Sequence, residues 1–250
     1  MNIIHLENIG KKFTLKLHSE NPLENLFSKF SDSKLTEEYW ALRNINMEVE
    51  QGKIIGIIGR NGAGKTTLLN ILAGICTPSE GKININGRVS SILTLGAGFK
   101  NELSGRENIY LNGLVLGMTR KEISTKFKNI VDFSELDGFL KVPLQTYSQG
   151  MRVRLGFSVA INVEFDVLLV DEIIAVGDCS FQKKCLEAMC SFKKQGKTMV
   201  FSTQDTGFIE RICDEVYVLE NGEIEFSGGP EVAIQCYQKL LDEKRFSKHL

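Results

Sequence analysis

The feature that most constrains this 250-residue chain is a stretch that fits the pattern G-x-x-x-x-G-K-[ST] in full, Gly59-Arg60-Asn61-Gly62-Ala63-Gly64-Lys65-Thr66, here called the P-loop. A continuous apolar run, residues 54–58, precedes it, and a run with helical apolar spacing follows it. Glycines let backbone N–H groups surround phosphate oxygens, and the positive end of the following helix points at them. The P-loop, extended by Thr67, therefore predicts a nucleotide-binding site between a buried strand and a helix.

Two acidic residues extend this prediction to a metal ion and a water molecule. Asp171 and Glu172 follow a second apolar run, residues 167–170, typical of a strand buried on both faces. Together with the P-loop they predict that Lys65 binds the β- and γ-phosphates and that Thr66 and Asp171 hold Mg²⁺. Glu172 is the candidate general base for the attacking water. The alternatives are a chance glycine loop and an acidic pair that only begins a helix or loop.

Composition is that of an ordinary globular protein. Lys and Arg number 30 against 31 Asp and Glu, mixed along the chain, so no broad surface for nucleic acid is indicated. No apolar run reaches the roughly 18 residues that span a bilayer, and the N-terminus lacks the pattern of a signal peptide. None of the six cysteines forms a C-x-x-C pair, which favours buried, reduced thiols. We therefore expect a chain that works in the cytosol or faces it.

Alternating strand and helix patterns predict an α/β fold with a parallel core sheet. Residues 2–13 and 42–49 alternate as half-buried strands do, and residues 198–202 form a further buried strand. An E-N-G-E stretch between apolar runs predicts a hairpin, and a closing helix is expected over residues 231–242. Residues 104–161 are largely helical and predict a separate lobe.

Helix starts are expected at four capping residues. Thr119 with Glu122 and Ser134 with Asp137 resemble capping boxes, and Ser104 and Ser180 are the other predicted caps. We expect a single domain over 1–250. Its core comprises 1–94 and 162–228, its helical lobe 95–161, and its C-terminal helix 229–250.

Residues 14–40 stand apart as a polar excursion between two strands. Inside it, Asn21-Pro22-Leu23-Glu24 begins like a capped helix with an apolar face. The excursion either packs on its own domain or presents a docking helix to a partner or membrane surface. The pattern alone slightly favours the first interpretation.

A short motif before the strand of Asp171 carries a family resemblance. Residues Tyr147-Ser148-Gln149-Gly150-Met151 resemble the L-S-G-G-Q signature of the ATP-binding subunits of ABC transporters. The resemblance implies a P-loop NTPase core of the RecA-like type, with an antiparallel β subdomain and an α-helical subdomain. It also implies a head-to-tail homodimer in which this signature faces the γ-phosphate bound by the other subunit. Leu103-Ser104-Gly105 looks similar but lies too early in the chain, so we interpret it as a helix start.

Other residues match the family pattern one by one. Phe13 stands where an aromatic ring stacks on adenine, and the alternative is a core phenylalanine. Residues Ala175-Val176-Gly177-Asp178 match the D-loop, which crosses the dimer. The segment from Ser91 to Phe99 lacks the usual glutamine that senses Mg²⁺ and water. That sensing function is therefore in doubt at this position.

Further motifs resemble one branch, the exporters of O-antigen, capsule and teichoic acid. They are L-G-A-G-F, E-L-S-G-R-E-N-I-Y-L-N-G and D-E-x-x-A-V-G-D-x-x-F-Q-x-K-C, joined by E-E-Y-W-A-L at the end of the excursion. The resemblance implies an ATP-hydrolysing motor subunit that uses ATP and Mg²⁺ and binds no nucleic acid. The alternatives are the ATPase of another ABC transporter, a soluble ABC ATPase acting on DNA or ribosomes, and a P-loop kinase or GTPase, which the signature argues against.

The branch also implies where the chain works. The homodimer would sit at the cytoplasmic face of the inner (plasma) membrane, attached through two copies of a polytopic permease. The loop at 95–99 and the helical lobe would contact that permease. Many O-antigen ATPases carry a further C-terminal sugar-binding domain, and we expect none here because the sequence ends at Leu250.

The glutamine at position 204 is the main departure from the family. It follows the strand at 198–202, where the family usually has a histidine that touches the γ-phosphate. Glutamine can donate an N–H to phosphate but does not become a cation, so we expect ATP binding to survive and hydrolysis to be slower. Two alternatives stay open. Gln204 replaces the histidine fully, or it was introduced to trap the ATP-bound state.

Overall fold

The structure is a computed structural model that describes residues 1–16, 36–93, 96, 98–171 and 178–246. Its strands are β1 (Asn2–Lys16), β2 (Thr36–Glu50), β3 (Ile54–Ile58), β4 (Glu80–Ile85), β5 (Val89–Ile92), β6 (Val167–Asp171), β7 (Thr198–Ser202), β8 (Glu215–Glu220) and β9 (Glu223–Gly228). Its α-helices are α1 (Lys65–Leu72), α2 (Gly105–Val115), α3 (Arg120–Ser134), α4 (Gln149–Ala160), α5 (Cys179–Lys194), α6 (Thr206–Ile212) and α7 (Pro230–Phe246). Short 3₁₀ turns lie at Asp137–Phe139 and Leu144–Thr146.

The larger sheet positions the candidate site. Within the described residues its strand order is β5-β6-β7-β3-β8-β9, with parallel pairing except between β8 and β9. All residues of β3 and β7 are buried, because helices or the second sheet cover both faces. Ile57 pairs with Ser202, and Ser202 pairs with Asp171, so β3, β6 and β7 end at one edge. Ligands of open parallel sheets bind at this edge.

A smaller antiparallel sheet lies over the larger one, with the order β2-β1-β4 in the described part of the chain. Its first two strands are longer than predicted, since residues 12–16 pair with residues 36–40 as strand. The excursion is therefore shorter than the sequence indicated. The predicted helix beginning at Asn21 lies outside the described residues.

Three apolar cores hold these layers together. One lies between the large sheet and helices α5 to α7, and the second between the two sheets and α1. The third lies inside the helical lobe of α2, α3 and α4 and centres on Ile109, Ile123, Ile130 and Leu155. The predicted fold class, an α/β P-loop core with an antiparallel sheet and a helical lobe, is confirmed. None of the helices in the described part of the chain is long and apolar enough to cross a membrane.

Two of the four predicted helix caps are confirmed. Ser104 and Thr119 each accept the backbone N–H of a glutamate three residues on, which returns a bond to the cap. The prediction for Ser134 is wrong, because Ser134 is the last residue of α3 and its hydroxyl donates to Val131 O. The prediction for Ser180 is wrong as well, since Asp178 caps α5 by accepting the Phe181 N–H at 2.9 Å.

The predicted hairpin matches the structure. The prediction of buried thiols is right for Cys185 and Cys213 but wrong for Cys190, which is exposed, while Cys76 and Cys236 are half-buried. Asn221 and Gly222 have φ values of 49° and 84°, which suit the tight turn between β8 and β9. Cys76, Cys185, Cys190, Cys213 and Cys236 are free thiols, and the side chain of Cys179 lies outside the description. Burial raises the pKa of Cys185 and Cys213 to about 12, so both thiols are protonated and unreactive near neutral pH.

Candidate functional site

The P-loop runs between β3 and α1 and is held by two other segments. A Cβ on Gly59 would lie 2.2 Å from Leu219 O, and one on Gly64, where φ is 106°, would lie 2.7 Å from Ala41 O. The Gly222 N–H donates to Ala63 O at 3.0 Å. Glycine is therefore required at both positions, because β2 and the β8–β9 hairpin approach the loop too closely for a side chain.

Lys65 is folded back onto the P-loop. Its side chain is buried, and Nζ donates to Gly59 O at 2.7 Å and to Arg60 O at 2.9 Å. Helix α1 starts at Lys65 with Gly64 as its N-cap and no side-chain cap. The N–H groups of its first turn can therefore bind an anion, beside a fixed positive charge.

Two oxygen ligands meet at the end of β6. Thr66 Oγ1 donates to Asp171 Oδ2 at 2.9 Å. Hydroxyl and carboxylate oxygens are ligands that Mg²⁺ accepts, usually beside water and phosphate oxygens, so the pair fits this ion. Glu172, the predicted base, lies outside the described residues, as do Ala175, Val176 and Gly177 of the predicted D-loop.

A pocket of about 310 Å³ opens beside these groups. It is lined by Phe13, Tyr39, Ala41, Asn61, Gly62, Gly64, Lys65, Thr66, Thr67 and Asp171. The Phe13 side chain is 42% exposed, which contradicts its alternative interpretation as a core residue. Its contact with adenine stays a prediction. Sequence reasoning misses Tyr39 and Ala41, because the predicted excursion ends at residue 40 and the predicted strand begins at residue 42, whereas β2 begins at Thr36.

Gln204 lies next to the P-loop. Its Nε2 donates to Asn61 Oδ1 at 2.9 Å. The Thr203 N–H donates to Ile57 O at 3.2 Å, and Asp205 caps α6 by accepting the Phe208 N–H at 3.0 Å. These bonds fix the backbone on both sides of Gln204, so its amide stays close to the phosphate-binding loop.

The signature segment lies at the start of α4. Ser148 and Gln149 are exposed, Gly150 and Met151 are half-buried, and Ser148 Oγ accepts the Met151 N–H at 3.2 Å. Tyr147 points the other way, since it is buried and its hydroxyl donates to Phe139 O at 2.7 Å. None of the signature residues 147–151 is among the described residues that line the pocket.

An ionic cluster joins α3, α4 and α5 behind the signature. Arg154 of α4 pairs with Glu135 and, at 3.5 Å, with Asp178. Lys184 of α5 contacts Glu135 Oε1 at 3.1 Å. The hydrogen bond from Lys184, with the charges of Lys184 and Arg154, lowers the pKa of Glu135 below its usual 4.5. The cluster connects the signature helix to the residue at the end of the predicted D-loop.

Comparisons with known proteins show which family the chain resembles. A family model described as ABC transporter matches residues 42–175. The O-antigen export system ATP-binding protein RfbB of Klebsiella pneumoniae is 41% identical over 242 residues, 96% of this chain and 98% of that protein. The teichoic acids export ATP-binding protein TagH of Lactococcus lactis is 42% identical over 240 residues, 95% of this chain and 51% of that protein. The chain thus spans about half the length of some relatives that it matches.

The fold has solved counterparts as well. The dimeric structure of a post-hydrolysis state of the ATP-binding cassette MJ0796, bound to ADP and Pi, matches with a TM-score of 0.72. The match covers 91% of this chain and 98% of that one at 20% sequence identity. At that identity the match supports the fold alone.

Proposed function

Because this chain belongs to the ABC transporter family, we propose that it is the ATP-hydrolysing subunit of an exporter of lipid-linked polysaccharide. The observation that carries this proposal is the full-length similarity to an ATP-binding protein named for O-antigen export. A relative named for teichoic acid export extends the substrate to polysaccharides of more than one kind. The polymer is of the O-antigen, capsule or teichoic acid type.

The nucleotide site works through charge and position. Lys65 exchanges its carbonyl partners for the β- and γ-phosphates of ATP, and the N–H groups at the start of α1 hold the same oxygens. Thr66 and Asp171 hold Mg²⁺, which neutralises charge on the phosphates when bound. Phe13 contacts the adenine at the open side of the pocket.

Hydrolysis needs a base and a group that orients the γ-phosphate. Glu172 follows Asp171 directly and accepts a proton from the attacking water. Gln204 donates an amide N–H to the γ-phosphate from its place beside Asn61. A neutral amide cannot supply the positive charge of a protonated histidine, so turnover is slow while ATP binding is retained.

The site is completed by a second copy of the chain. The exposed Ser148 and Gln149, with the N-terminus of α4, bind the γ-phosphate held by the partner's P-loop. Gly150 allows close approach, and Met151 anchors the segment in the lobe core. The D-loop, residues 175–178, crosses the same interface. ATP binding closes the dimer and hydrolysis opens it.

The lobe passes this motion to a membrane partner. Leu114 and Val115, at the end of α2, are 51% and 55% exposed, and a Cβ on Gly98 would lie 2.9 Å from Val115 Cγ2. This apolar surface and the loop at 95–99 contact a polytopic permease, present in two copies. The homodimer is thereby held at the cytoplasmic face of the inner membrane, and no nucleic acid takes part.

Surface export tests the proposal. The chain and the membrane protein encoded beside it are expressed in a bacterium that makes the polysaccharide but lacks its own export ATPase. We expect polymer at the cell surface, and none with Lys65→Ala, because that variant loses its phosphate contact. Co-purification with the membrane protein but normal export by Lys65→Ala would contradict the motor role. Co-purification with ribosomes or DNA instead would favour a soluble ABC ATPase.

A further inference from the structure

The pocket beside the P-loop has a second aromatic ring that the family resemblance did not assign. Tyr39 lines it together with Phe13, and its side chain is 50% exposed. We propose that Tyr39 contacts the base of the bound nucleotide, so that two rings rather than one hold it. This inference rests on the proposed function, because it concerns the same ATP site.

Strand pairing puts the two rings at the same place. Phe13 of β1 lies directly opposite Tyr39 of β2 in the antiparallel ladder. Residues directly opposite each other project to the same face, with Cβ atoms about 5 Å apart. Tyr39 therefore lies beside Phe13 on the same face of the sheet, although their positions differ by 26 in sequence (39 minus 13).

Contacts with the P-loop fix the position of β2. Two residues after Tyr39, Ala41 lies so close that its carbonyl oxygen would be 2.7 Å from a Cβ on Gly64. Ala41 also lines the pocket, so Tyr39 and Ala41 face the same space. The strand that carries Tyr39 is thus packed against the phosphate-binding loop at Gly64.

Both rings have surface available to a base. Among the described residues, Phe13 and Tyr39 form no ring–ring contact with each other. The Lys11 ammonium lies 5.2 Å from the Phe13 ring centre and is itself anchored on Thr77 O. The Phe13 ring is thus stabilised by a cation–π contact with Lys11, while the Tyr39 ring is supplied by the facing strand β2. A planar base can contact both.

A ligand that lacks the nucleotide base distinguishes a contact of Tyr39 with the base from phosphate binding. Affinities are measured by calorimetry for two probes, a non-hydrolysable ATP analogue with Mg²⁺ and inorganic tripolyphosphate with Mg²⁺. Tyr39→Ala should weaken binding of the analogue about tenfold and leave tripolyphosphate unchanged, because stacking on one ring is lost. Tyr39→Phe should stay within about twofold, because the ring is kept. Phe13→Ala should resemble Tyr39→Ala.

A control variant and melting curves distinguish loss of a base contact from loss of folding. Phe139→Ala removes another aromatic ring that is 50% exposed, but in the lobe, and should change neither affinity. Melting curves of all variants show whether they are folded. Unchanged analogue affinity in Tyr39→Ala, with a loss in Phe13→Ala, would overturn the role of Tyr39 alone. Failure of the unmodified chain to bind the analogue would overturn the ATP site, and this inference with it.

Discussion

At residue 204, just after the end of β7, the chain has a side-chain amide beside the P-loop. Gln204 is hydrogen-bonded to Asn61 of the P-loop, so the amide is well placed but electrically neutral. Its position could be predicted, because a residue after a buried parallel strand lies at the ligand edge of the sheet. Tyr39 could not be predicted, because its partner across the ladder lies on the far side of residues 17–35.

The first prediction concerns this amide. Gln204→His should raise the ATP hydrolysis rate by roughly tenfold, less than a full acid–base contribution because glutamine already supplies a hydrogen bond. The measurement is phosphate release at saturating ATP. Gln195→His adds a histidine at an exposed glutamine after α5 and should leave the rate unchanged. An equal or lower rate in Gln204→His would show that glutamine replaces histidine fully.

A second prediction at this scale separates binding from chemistry. Glu172→Gln should keep ATP affinity within about twofold and stop turnover, because the amide leaves the phosphate contacts intact but cannot accept the proton. Lys65→Ala should instead lose affinity, because Lys65 lies at the P-loop. Nucleotide binding and phosphate release are measured on both variants. Near-normal turnover in Glu172→Gln would show that another group is the base.

At the scale of helices and strands, local patterns predicted two of four helix starts correctly. Ser104 and Thr119 begin helices as expected, because their glutamates close the capping box. The prediction that Ser134 starts a helix failed because α3 continues up to Ser134, and Glu135, with φ 57°, ends that helix. The Ser180 prediction failed because Asp178, two residues earlier, accepts the Phe181 N–H and so caps α5. Asp178 also pairs with Arg154 of α4, a tertiary contact that a local sequence pattern does not show.

The ionic cluster behind the signature gives a pH-dependent prediction. Because the pKa of Glu135 is lowered in the folded state, its contribution to stability is present above the unfolded pKa and lost as pH falls through the folded one. Glu135→Gln should therefore lower the melting temperature at pH 7. The gap to the unmodified chain should close as pH falls below about 4.

A second carboxylate, on helix α5, serves as the control for the Glu135→Gln melting experiment. Glu187 is exposed on α5, and Glu187→Gln should show a melting temperature close to that of the unmodified chain at every pH. If the gap for Glu135→Gln stayed constant down to pH 3, its effect would come from packing and not from charge.

At the scale of the whole molecule, the pocket and the predicted signature belong to different parts of the described chain. The pocket is built by the P-loop, β2 and β6, while Ser148 lies in the lobe and does not line it. Motifs and alternation were enough to predict the three parts of the fold, because each part has its own apolar pattern. The arrangement of two copies depends on surface complementarity between residues far apart in sequence, which local patterns do not predict, and the dimer is therefore a proposal.

Two serines that cap lobe helices test the dimer. In a Glu172→Gln background, ATP should convert the chain from monomer to dimer, measured by light scattering. Ser148→Ala and Ser104→Ala should each cost about 1 kcal/mol of stability, because each removes an N-cap. Only Ser148→Ala should weaken the ATP-dependent dimer. Equal dimerisation by both variants would contradict a signature that binds the partner's nucleotide.

The hairpin turn at Asn221 and Gly222 has a thermodynamic consequence. The Gly222 carbonyl accepts the Arg43 N–H, and the Gly222 N–H donates to Ala63 O, so the turn ties β2 to the P-loop through its own backbone. A loop braced in this way loses little conformational entropy when it closes on a ligand. Nucleotide binding should therefore change hydrogen exchange little within the P-loop itself, and its entropy cost should arise mainly at the interface between subunits.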